Sequence, residues 1–316
     1  MSNDSSPAPA ADVTITLVGD SVPDSAVRAV GAVLEGAGLT VAPAEVTSHS
    51  PVAAIVVRAT ASDTSRGIGE LRAQVAPVAV EHGIDIAVVP TALCGLSARL
   101  VVMDVDSTFI RDEVIELIAE HAGTRDEVAA VTEAAMRGEL DFAQSLHARV
   151  ATLAGLSADV LDDVRDAVRV TPGAATLVRT VKELGGSVAL VSGGFEEIVA
   201  PLAAGLGVDH VRANRLEIVD GRLTGKVLGA VIDRAAKAVA LREFALASGL
   251  PLETSLAIGD GANDLDMLDL AGLGVAFNAK PALRARADAS LTVGRLDAAL
   301  HLVGIPRSAF VLAEGD

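Results

Sequence analysis

Apolar residues in the N-terminal part of the chain follow two different spacings. Between residues 24 and 37 they recur every three or four positions, as at Val27, Val30 and Leu34, and this predicts a helix with one buried face. Runs of β-branched residues on either side predict strands. The predicted order is strand, helix, strand, strand, helix and strand, over residues 13–18, 24–37, 40–47, 52–59, 66–81 and 84–90. This order favours an α+β domain with both helices on one face of a single sheet.

The pattern changes at Leu100, where the uncharged run LVVM predicts a buried strand. Residues from about 107 to 170 have nearly all helical spacing and no strand candidate, and strands then alternate with helices as far as Phe277. The predicted helices cover 174–184, 196–205, 235–248 and 264–270, the strands 187–191, 255–258 and 273–277, and a hairpin 211–228. Asp220 and Gly221 mark the hairpin turn. Such alternation is typical of a doubly wound parallel sheet, here with a helical insertion after its first strand.

These patterns predict the domain organisation. Residues 1–11 (MSNDSSPAPAA) have no charged segment followed by an apolar core, so they predict a disordered tail rather than a signal peptide or an anchor. Residues 12–96 form the α+β domain. Residues 97–316 form the doubly wound α/β domain, and the helical insertion at about 107–170 forms a cap over it.

Composition limits the partners of the chain. Its 25 Lys and Arg residues against 42 Asp and Glu residues give a net charge of −17, which repels nucleic acid and anionic lipid surfaces. Neither nucleic acid nor membrane is therefore expected as a partner. A chain this acidic binds a phosphorylated small molecule only where a cation reverses the local field, so a metal is expected in any phosphate site. Cys94 is the single cysteine of the sequence, which favours a reducing compartment such as the cytoplasm.

Candidate chemical groups follow the predicted strands of the α/β domain. Ligands of open parallel sheets bind at the carboxyl ends of the strands, so groups placed there are expected to meet in one cleft. Asp104 and Asp106 end the LVVM strand, and Lys237 begins a helix after the hairpin. The other groups at these ends are the runs Ser192-Gly193-Gly194 and Gly259-Asp260-Gly261-Ala262-Asn263-Asp264.

These groups, DVDST, SGG, a lysine and GDGAND, occur in the order of the four motifs of the haloacid dehalogenase superfamily, which residues 100–300 resemble. The resemblance implies that Asp104 is a nucleophile that attacks phosphorus. Asp106 would protonate the leaving oxygen and then take a proton from the attacking water. Ser192 and Gly193 would bind phosphate oxygens, and Lys237 would stabilise the transition state.

The resemblance also implies a Mg²⁺ cofactor, because a cation must cancel the repulsion between a carboxylate and a phosphate dianion. It assigns the ion to Asp104, Asp260 and the backbone carbonyl of Asp106, which together give the oxygen ligands that Mg²⁺ prefers. Asp264 would support these ligands, and Asn263 would reach the substrate phosphate. The alternative for Asn263 and Asp264 is a simple helix cap.

The segments DVDSTFIRDEVIELIAEHAG and MRGELDFAQSLHARVATLAGL resemble phosphoserine phosphatases, the enzymes of the last step of serine biosynthesis. In that family a Glu binds the substrate ammonium and an Arg binds its carboxylate, and the matching positions are Glu113 and Arg149. Met136 and Phe142 would form an apolar wall. Arg is suited to a carboxylate because its planar fork pairs bidentately. Without the resemblance, Glu113 and Arg149 would be interpreted as surface residues of cap helices.

The α+β domain resembles the ACT domain, a ferredoxin-like module that often binds amino acids at dimer interfaces. Its turn, Gly19-Asp20-Ser21-Val22-Pro23-Asp24, departs from the Gly-x-Asp-x-Pro-Gly pattern of effector-binding members, which favours homodimerisation or simple packing as its role. Two other functions stay open for the whole chain. It could pass the phosphoryl group to an alcohol such as homoserine, or it could be a regulatory amino-acid-binding protein, although its intact catalytic carboxylates argue against the latter.

Overall fold

A computed structural model describes residues 12–61, 67–136 and 139–315, without the side chain of Met136. The predicted tail, residues 1–11, lies outside this range. The chain forms two compact units. The first unit is Met1–Leu96 with Asp288–Val293 and Ala298–Phe310, and the second is Ser97–Ala287 with Gly294–Asp297 and Val311–Asp316. None of the helices in the described ranges is both long enough and apolar enough to span a membrane.

The first unit is built on an antiparallel sheet. Its elements in chain order are β1 (Asp12–Gly19), α1 (Asp24–Gly36), β2 (Leu39–Val41), β3 (Glu45–Ser48), β4 (Ala53–Ala61), α2 (Ile68–His82) and β5 (Asp85–Pro90). The strand order is β2-β4-β1-β5, and β3 also pairs with β4. Ile15, Val57 and Val88 on one sheet face pack with Leu34 and Val75 of the helices. The predicted α+β class is therefore confirmed.

The strand predicted over residues 40–47 is wrong in one respect, because two short strands take its place. β2 and β3 both pair antiparallel with β4, and Pro43 lies between them. Proline has no N–H to donate to a strand ladder, so the pairing stops there and resumes at Glu45. The Ala42 N–H still donates to the Arg58 carbonyl at 2.8 Å, which keeps the connecting segment beside β4.

The second unit contains the predicted parallel sheet. Its sheet strands are β6 (Leu100–Met103), β7 (Ser187–Phe195), β8 (His210–Val219), β9 (Arg222–Leu228), β10 (Leu256–Gly259) and β11 (Leu273–Phe277). Their order is β11-β10-β6-β7-β8-β9, and all neighbours are parallel except the hairpin of β8 and β9. The hairpin turns at Asp220 and Gly221, both with positive φ, as its sequence predicts.

Helices surround this sheet and form the insertion. The insertion contains α3 (Val114–Ala122), α4 (Arg125–Met136), α5 (Phe142–Ala151) and α6 (Val160–Ala167), and we call it the cap. The helices that follow are α7 (Ala174–Glu183), α8 (Glu196–Leu206), α9 (Arg234–Ser248), α10 (Leu265–Leu270) and α11 (Pro281–Arg284). The apolar face of α9 packs against the β6 and β7 strands, and Leu241, Phe244 and Val102 belong to one buried cluster there. This arrangement confirms the predicted doubly wound α/β class with a helical insertion.

Two connecting segments join the cap to the sheet, and they are bonded to each other. Ile110 pairs with Val170 as an antiparallel bridge, and the Arg111 N–H donates to the Arg169 carbonyl at 2.9 Å. The hairpin supports the far side of the cap, where the Leu223 N–H donates to the Leu156 carbonyl at 2.9 Å.

The C-terminal residues complete the first unit. After β12 (Ala289–Leu291), α12 (Ala299–Leu302) contacts β1 and β5. Thr14 and Thr16 lie on the sheet face opposite the Ile15 face, and both are buried. The sequence predicts residues 288–310 as part of the α/β domain, whereas Asp288–Val293 and Ala298–Phe310 group with the first unit. The physical reason is burial of apolar residues, since Leu300 and Leu302 are fully buried.

Candidate active site

Asp104 lies directly after β6, at the carboxyl edge of the parallel sheet. Its Oδ1 accepts a hydrogen bond from the Val105 N–H at 2.7 Å, and its Oδ2 lies 2.7 Å from the Nζ of Lys237. Burial raises the pKa of Asp104 well above its usual value, and the neighbouring Asp264 raises it further. Lys237 acts in the opposite direction and favours the charged carboxylate that a nucleophile needs.

Lys237 is a fully buried lysine in the first turn of α9. Asp233 caps this helix by accepting from the Ala236 N–H at 2.9 Å, which fixes the start of the turn. The Nζ of Lys237 lies 2.7 Å from both Asp104 and Asp264. Burial alone would lower the pKa of Lys237, but the two carboxylates raise it above the usual lysine value. The ammonium is therefore charged at neutral pH.

Asp104, Asp260 and Asp264 form a carboxylate cluster whose oxygens lie within 4.8 Å of one another. Burial raises the pKa of Asp260 to about 6, with Asp264 adding to the effect. The Thr108 hydroxyl donates to Asp260 at 3.1 Å, and the Gly261 N–H donates to Asp264 at 3.0 Å. Three carboxylates face one ammonium here, so negative charge is left over. Carboxylate oxygens and this excess charge suit a hard divalent cation.

Asp106 has a different environment from the cluster. Its Oδ1 accepts from the Val114 N–H at 2.8 Å, and its Oδ2 accepts from the Ser192 hydroxyl at 3.2 Å. The Asp106 side chain is therefore not among the clustered carboxylates, while Asp264, which the sequence placed in a supporting role, is. Burial raises the pKa of Asp106 to about 7, and Glu113 contributes to the shift. A carboxyl group with this pKa can both give and take a proton near neutral pH.

The Ser-Gly-Gly run lies within β7, opposite Asp106. The Ser192 hydroxyl accepts from the Gly194 N–H at 2.7 Å, so the side chain of Ser192 is bonded to the backbone two residues further along the run. A Cβ on Gly194 would lie 2.7 Å from Asp106, and one on Gly193 would lie 2.9 Å from the Phe142 ring. A side chain at either position would therefore force these neighbouring side chains to shift.

Asn214 supports this run, and it is not among the site residues predicted from the sequence. It is 1% exposed on β8, and its amide donates to the Gly193 carbonyl at 2.8 Å and accepts from the Ile232 N–H at 2.9 Å. Buried polar side chains need such partners. The available signal was a single Asn in the strand sequence HVRANRLEIV, which is weak by itself.

A cavity of about 530 Å³ separates the cap from these groups. Asp104, Asp106 and Asp260 line it from the sheet side, and Glu113 and Arg149 line it from the cap side. Gly193, Phe142 and Asn263 are also in its wall. The Asn263 amide donates to Asp104 at 3.4 Å, which is a weak contact. The side chain of Met136 lies outside the described part of the chain, so its predicted place in the wall stays a prediction.

Glu113 and Arg149 are the charged cap groups at this cavity. The Ser107 hydroxyl donates to Glu113 at 2.8 Å, and the Arg149 Nε donates to the Ser145 carbonyl at 3.3 Å. Although Glu113 as a residue is exposed, loss of water around its carboxyl group raises its pKa. Burial lowers the pKa of Arg149, and Glu113 opposes that change. The cap thus offers one anion and one cation to a bound molecule.

A parallel sheet with a buried aspartate, a lysine and further carboxylates at its carboxyl edge defines a class of phosphate-transferring hydrolases. Residues 101–269 match the sequence profile of the haloacid dehalogenase-like hydrolases. The chain belongs to the haloacid dehalogenase-like hydrolase family. The resemblance expected from the DVDST and GDGAND motifs is therefore confirmed.

Several relatives bear the name phosphoserine phosphatase. The chain is 54% identical over 293 residues to a Streptomyces coelicolor phosphoserine phosphatase, covering 93% of this chain and 70% of the relative. It is 54% identical over 247 residues to Mycobacterium tuberculosis phosphoserine phosphatase SerB2, covering 78% of this chain. It spans only 60% of the length of that second relative.

Solved structures agree with these relatives. A probable phosphoserine phosphatase from Vibrio cholerae in unliganded form superposes with a TM-score of 0.74 at 32% identity, covering 94% of this chain and 88% of the other. A substrate-bound phosphoserine phosphatase complex superposes with a TM-score of 0.62 at 39% identity, covering 66% of this chain and 99% of the other.

Proposed function

We propose that the chain is a phosphoserine phosphatase, which hydrolyses O-phosphoserine to serine and inorganic phosphate in the last step of serine biosynthesis. The observation that carries the proposal is the shared cavity, in which Glu113 and Arg149 of the cap face Asp104 and Asp106. A free amino acid phosphate presents an ammonium, a carboxylate and a phosphate. The cavity contains a charged group suited to each of the first two and a nucleophile for the third.

The reaction proceeds in two steps on Asp104. A carboxylate oxygen of Asp104 forms a bond to phosphorus while the bond from phosphorus to the serine oxygen breaks, and Asp106 gives its proton to that oxygen. Water then attacks the phosphorus of the aspartyl phosphate, Asp106 takes its proton, and the bond to Asp104 breaks. The hydrogen bonds from Val114 and Ser192 hold Asp106 in place for both transfers.

Positive charge in this site has two sources in the proposal. Lys237, already 2.7 Å from Asp104, stabilises the negative charge that develops on the transferred group. Mg²⁺ held by Asp104 and Asp260, with Asp264 beside them, would neutralise the repulsion between carboxylate and phosphate. The single cysteine is consistent with a cytoplasmic location.

Release of phosphate from phosphoserine by the purified full-length chain tests the proposal. We expect Mg²⁺-dependent release, and we expect Asp104→Asn to reduce it by several orders of magnitude while keeping the folded-state circular dichroism spectrum. Adding alcohols such as homoserine separates hydrolysis from phosphoryl transfer, because transfer would yield a new phosphate ester in place of free phosphate. Absence of phosphate release from phosphoserine, or activity of the Asn variant within tenfold of wild type, would contradict the proposal.

A further inference from the structure

A second cleft, of about 490 Å³, adjoins the active-site cavity. Asp260 lines both, and the second cleft is otherwise lined by Ser107, Arg111, Asn278 and Lys280, among others. The two differ in charge. The active-site cavity has several carboxylates in its wall and one arginine, whereas the second cleft has two cations and one carboxylate. In a chain with a net charge of −17, this local excess of positive charge favours an anion.

The two cations of the second cleft form no ion pair in the described part of the chain, while Asp112 attracts Arg111 electrostatically and Asp260 lines the same cleft. Arg111 and Lys280 are exposed, and within the described ranges neither side chain forms an ion pair or a side-chain hydrogen bond. Asp112 is next to Arg111 in the sequence, but its carboxylate accepts from the Arg169 N–H at 2.8 Å and from the Arg169 Nε at 3.1 Å. Both cations are therefore available to an anion that enters the cleft.

The backbone of the cleft carries a second feature. Ser107 has a φ of 56° and Asn278 has a φ of 46°, in the left-handed region that residues other than glycine rarely adopt. Such conformations cluster at functional sites, and the Ser107 hydroxyl also donates to Glu113 at the neighbouring active-site cavity. Both residues line this one cleft, on segments that are far apart in sequence.

We propose that this cleft is a binding site for inorganic phosphate, separate from the cavity that contains Asp104. Arg and Lys side chains bind phosphate oxygens through charge-assisted hydrogen bonds, and two of them reach this cleft. The choice of phosphate among oxyanions rests on the proposed function, because phosphate is its product and forms on the other side of Asp260. Phosphate in the second cleft would repel a phosphate ester in the first, so phosphate inhibition would include a component that substrate does not overcome.

Calorimetric titration of inorganic phosphate into the full-length chain tests this site directly. We expect the double variant Arg111→Ala/Lys280→Ala to lose one class of sites or to bind it about tenfold or more weakly than wild type. Lys226→Ala is the matched control, because Lys226 is also an exposed lysine but lines neither cleft. Arg111→Lys/Lys280→Arg keeps both charges and is expected to keep the site. Equal numbers of sites and equal affinities in wild type, the double alanine variant and the control would overturn the proposal.

The same titration separates this proposal from the proposed function. It needs no turnover, so it decides the second cleft even if phosphoserine is not the substrate. If the wild-type chain hydrolyses phosphoserine but the double alanine variant binds phosphate as the wild type does, the phosphate site in the second cleft is ruled out. The proposed function is then unaffected. Thermal melting of each variant verifies folding, and exposed side chains without ion pairs are expected to change the melting temperature little.

Discussion

The Nζ of Lys237 lies 2.7 Å from a carboxylate oxygen of Asp104 and equally far from one of Asp264, and all three residues are buried. A buried lysine is stable only when paired, and a buried carboxylate needs a cation for the same reason. Lys237 therefore stabilises the buried carboxylates, and in the proposed mechanism it also provides charge for the chemistry.

Removing Lys237 is expected to destabilise the chain strongly. Lys237→Met leaves buried carboxylates without their cation, which costs about 3–5 kcal/mol in the free energy of unfolding. The double variant Lys237→Met/Asp264→Asn removes one of those charges and is expected to recover part of the loss. Urea unfolding in the presence of a chelator measures the free energy of unfolding of both variants. If the double variant is no more stable than Lys237→Met, the pairing with Asp264 does not contribute as the geometry indicates.

Asp106 is expected to matter most when the leaving group needs a proton. Asp106→Asn removes general acid catalysis and is expected to slow phosphoserine hydrolysis by about 10²–10⁴-fold. An aryl phosphate such as p-nitrophenyl phosphate leaves without protonation, so formation of its aspartyl phosphate is expected to slow far less. Single-turnover rates of wild type and Asp106→Asn with both esters measure the slowing of this first step. Equal slowing of the first step with both esters would remove Asp106 from the role of acid.

Arg149 is expected to bind the carboxylate of the substrate. Arg149→Lys keeps the charge but loses the planar fork, so it should reduce kcat/KM for phosphoserine by more than for phosphoethanolamine, which lacks the carboxylate. Glu113→Gln is the matched control, because its loss should affect both substrates through their shared ammonium. Equal losses with both substrates in Arg149→Lys would return Arg149 to the role of a cap surface residue.

The stability that the Asp112–Arg169 pair contributes at the connection between cap and sheet is expected to fall at acid pH. Burial would raise the pKa of Asp112, but the hydrogen bonds from Arg169 lower it below its usual value. A lowered folded-state pKa contributes stability above the unfolded value of about 3.9, and that contribution is lost as pH falls through the folded value. Asp112→Asn should therefore destabilise the chain at pH 7, and its difference from wild type should shrink below about pH 4.

Urea unfolding across this pH range measures the effect, and Asp163→Asn on α6 is a suitable control. Asp163 is exposed, and within the described residues its side chain has no ion pair. A difference between wild type and Asp112→Asn that is the same at pH 7 and at acid pH would show that the carboxylate charge of Asp112 is not what Arg169 stabilises.

Local sequence patterns were sufficient to place the residues that we propose carry the chemistry. Asp104, Asp106, Ser192 and Asp260 each follow or end a run of buried residues, and parallel strands bring such ends to one edge. Other features depend on contacts between distant residues, which no local spacing reveals. The support of Gly193 by Asn214 and the return of residues 298–310 to the first unit are of this kind. The positive φ of Ser107 also has no signature in its residue type.

Rapid acid quenching during turnover of ³²P-labelled phosphoserine, followed by peptide mapping, tests the central claim most directly. The proposed mechanism places a covalent phosphoryl group on Asp104, because this carboxylate is buried beside Lys237 and lines the cavity with Glu113 and Arg149. Label is expected on the peptide that contains Asp104 in wild type, with acyl phosphate lability in base, and is expected to disappear in Asp104→Asn. Turnover without label on that peptide, or label on another residue, would contradict the account.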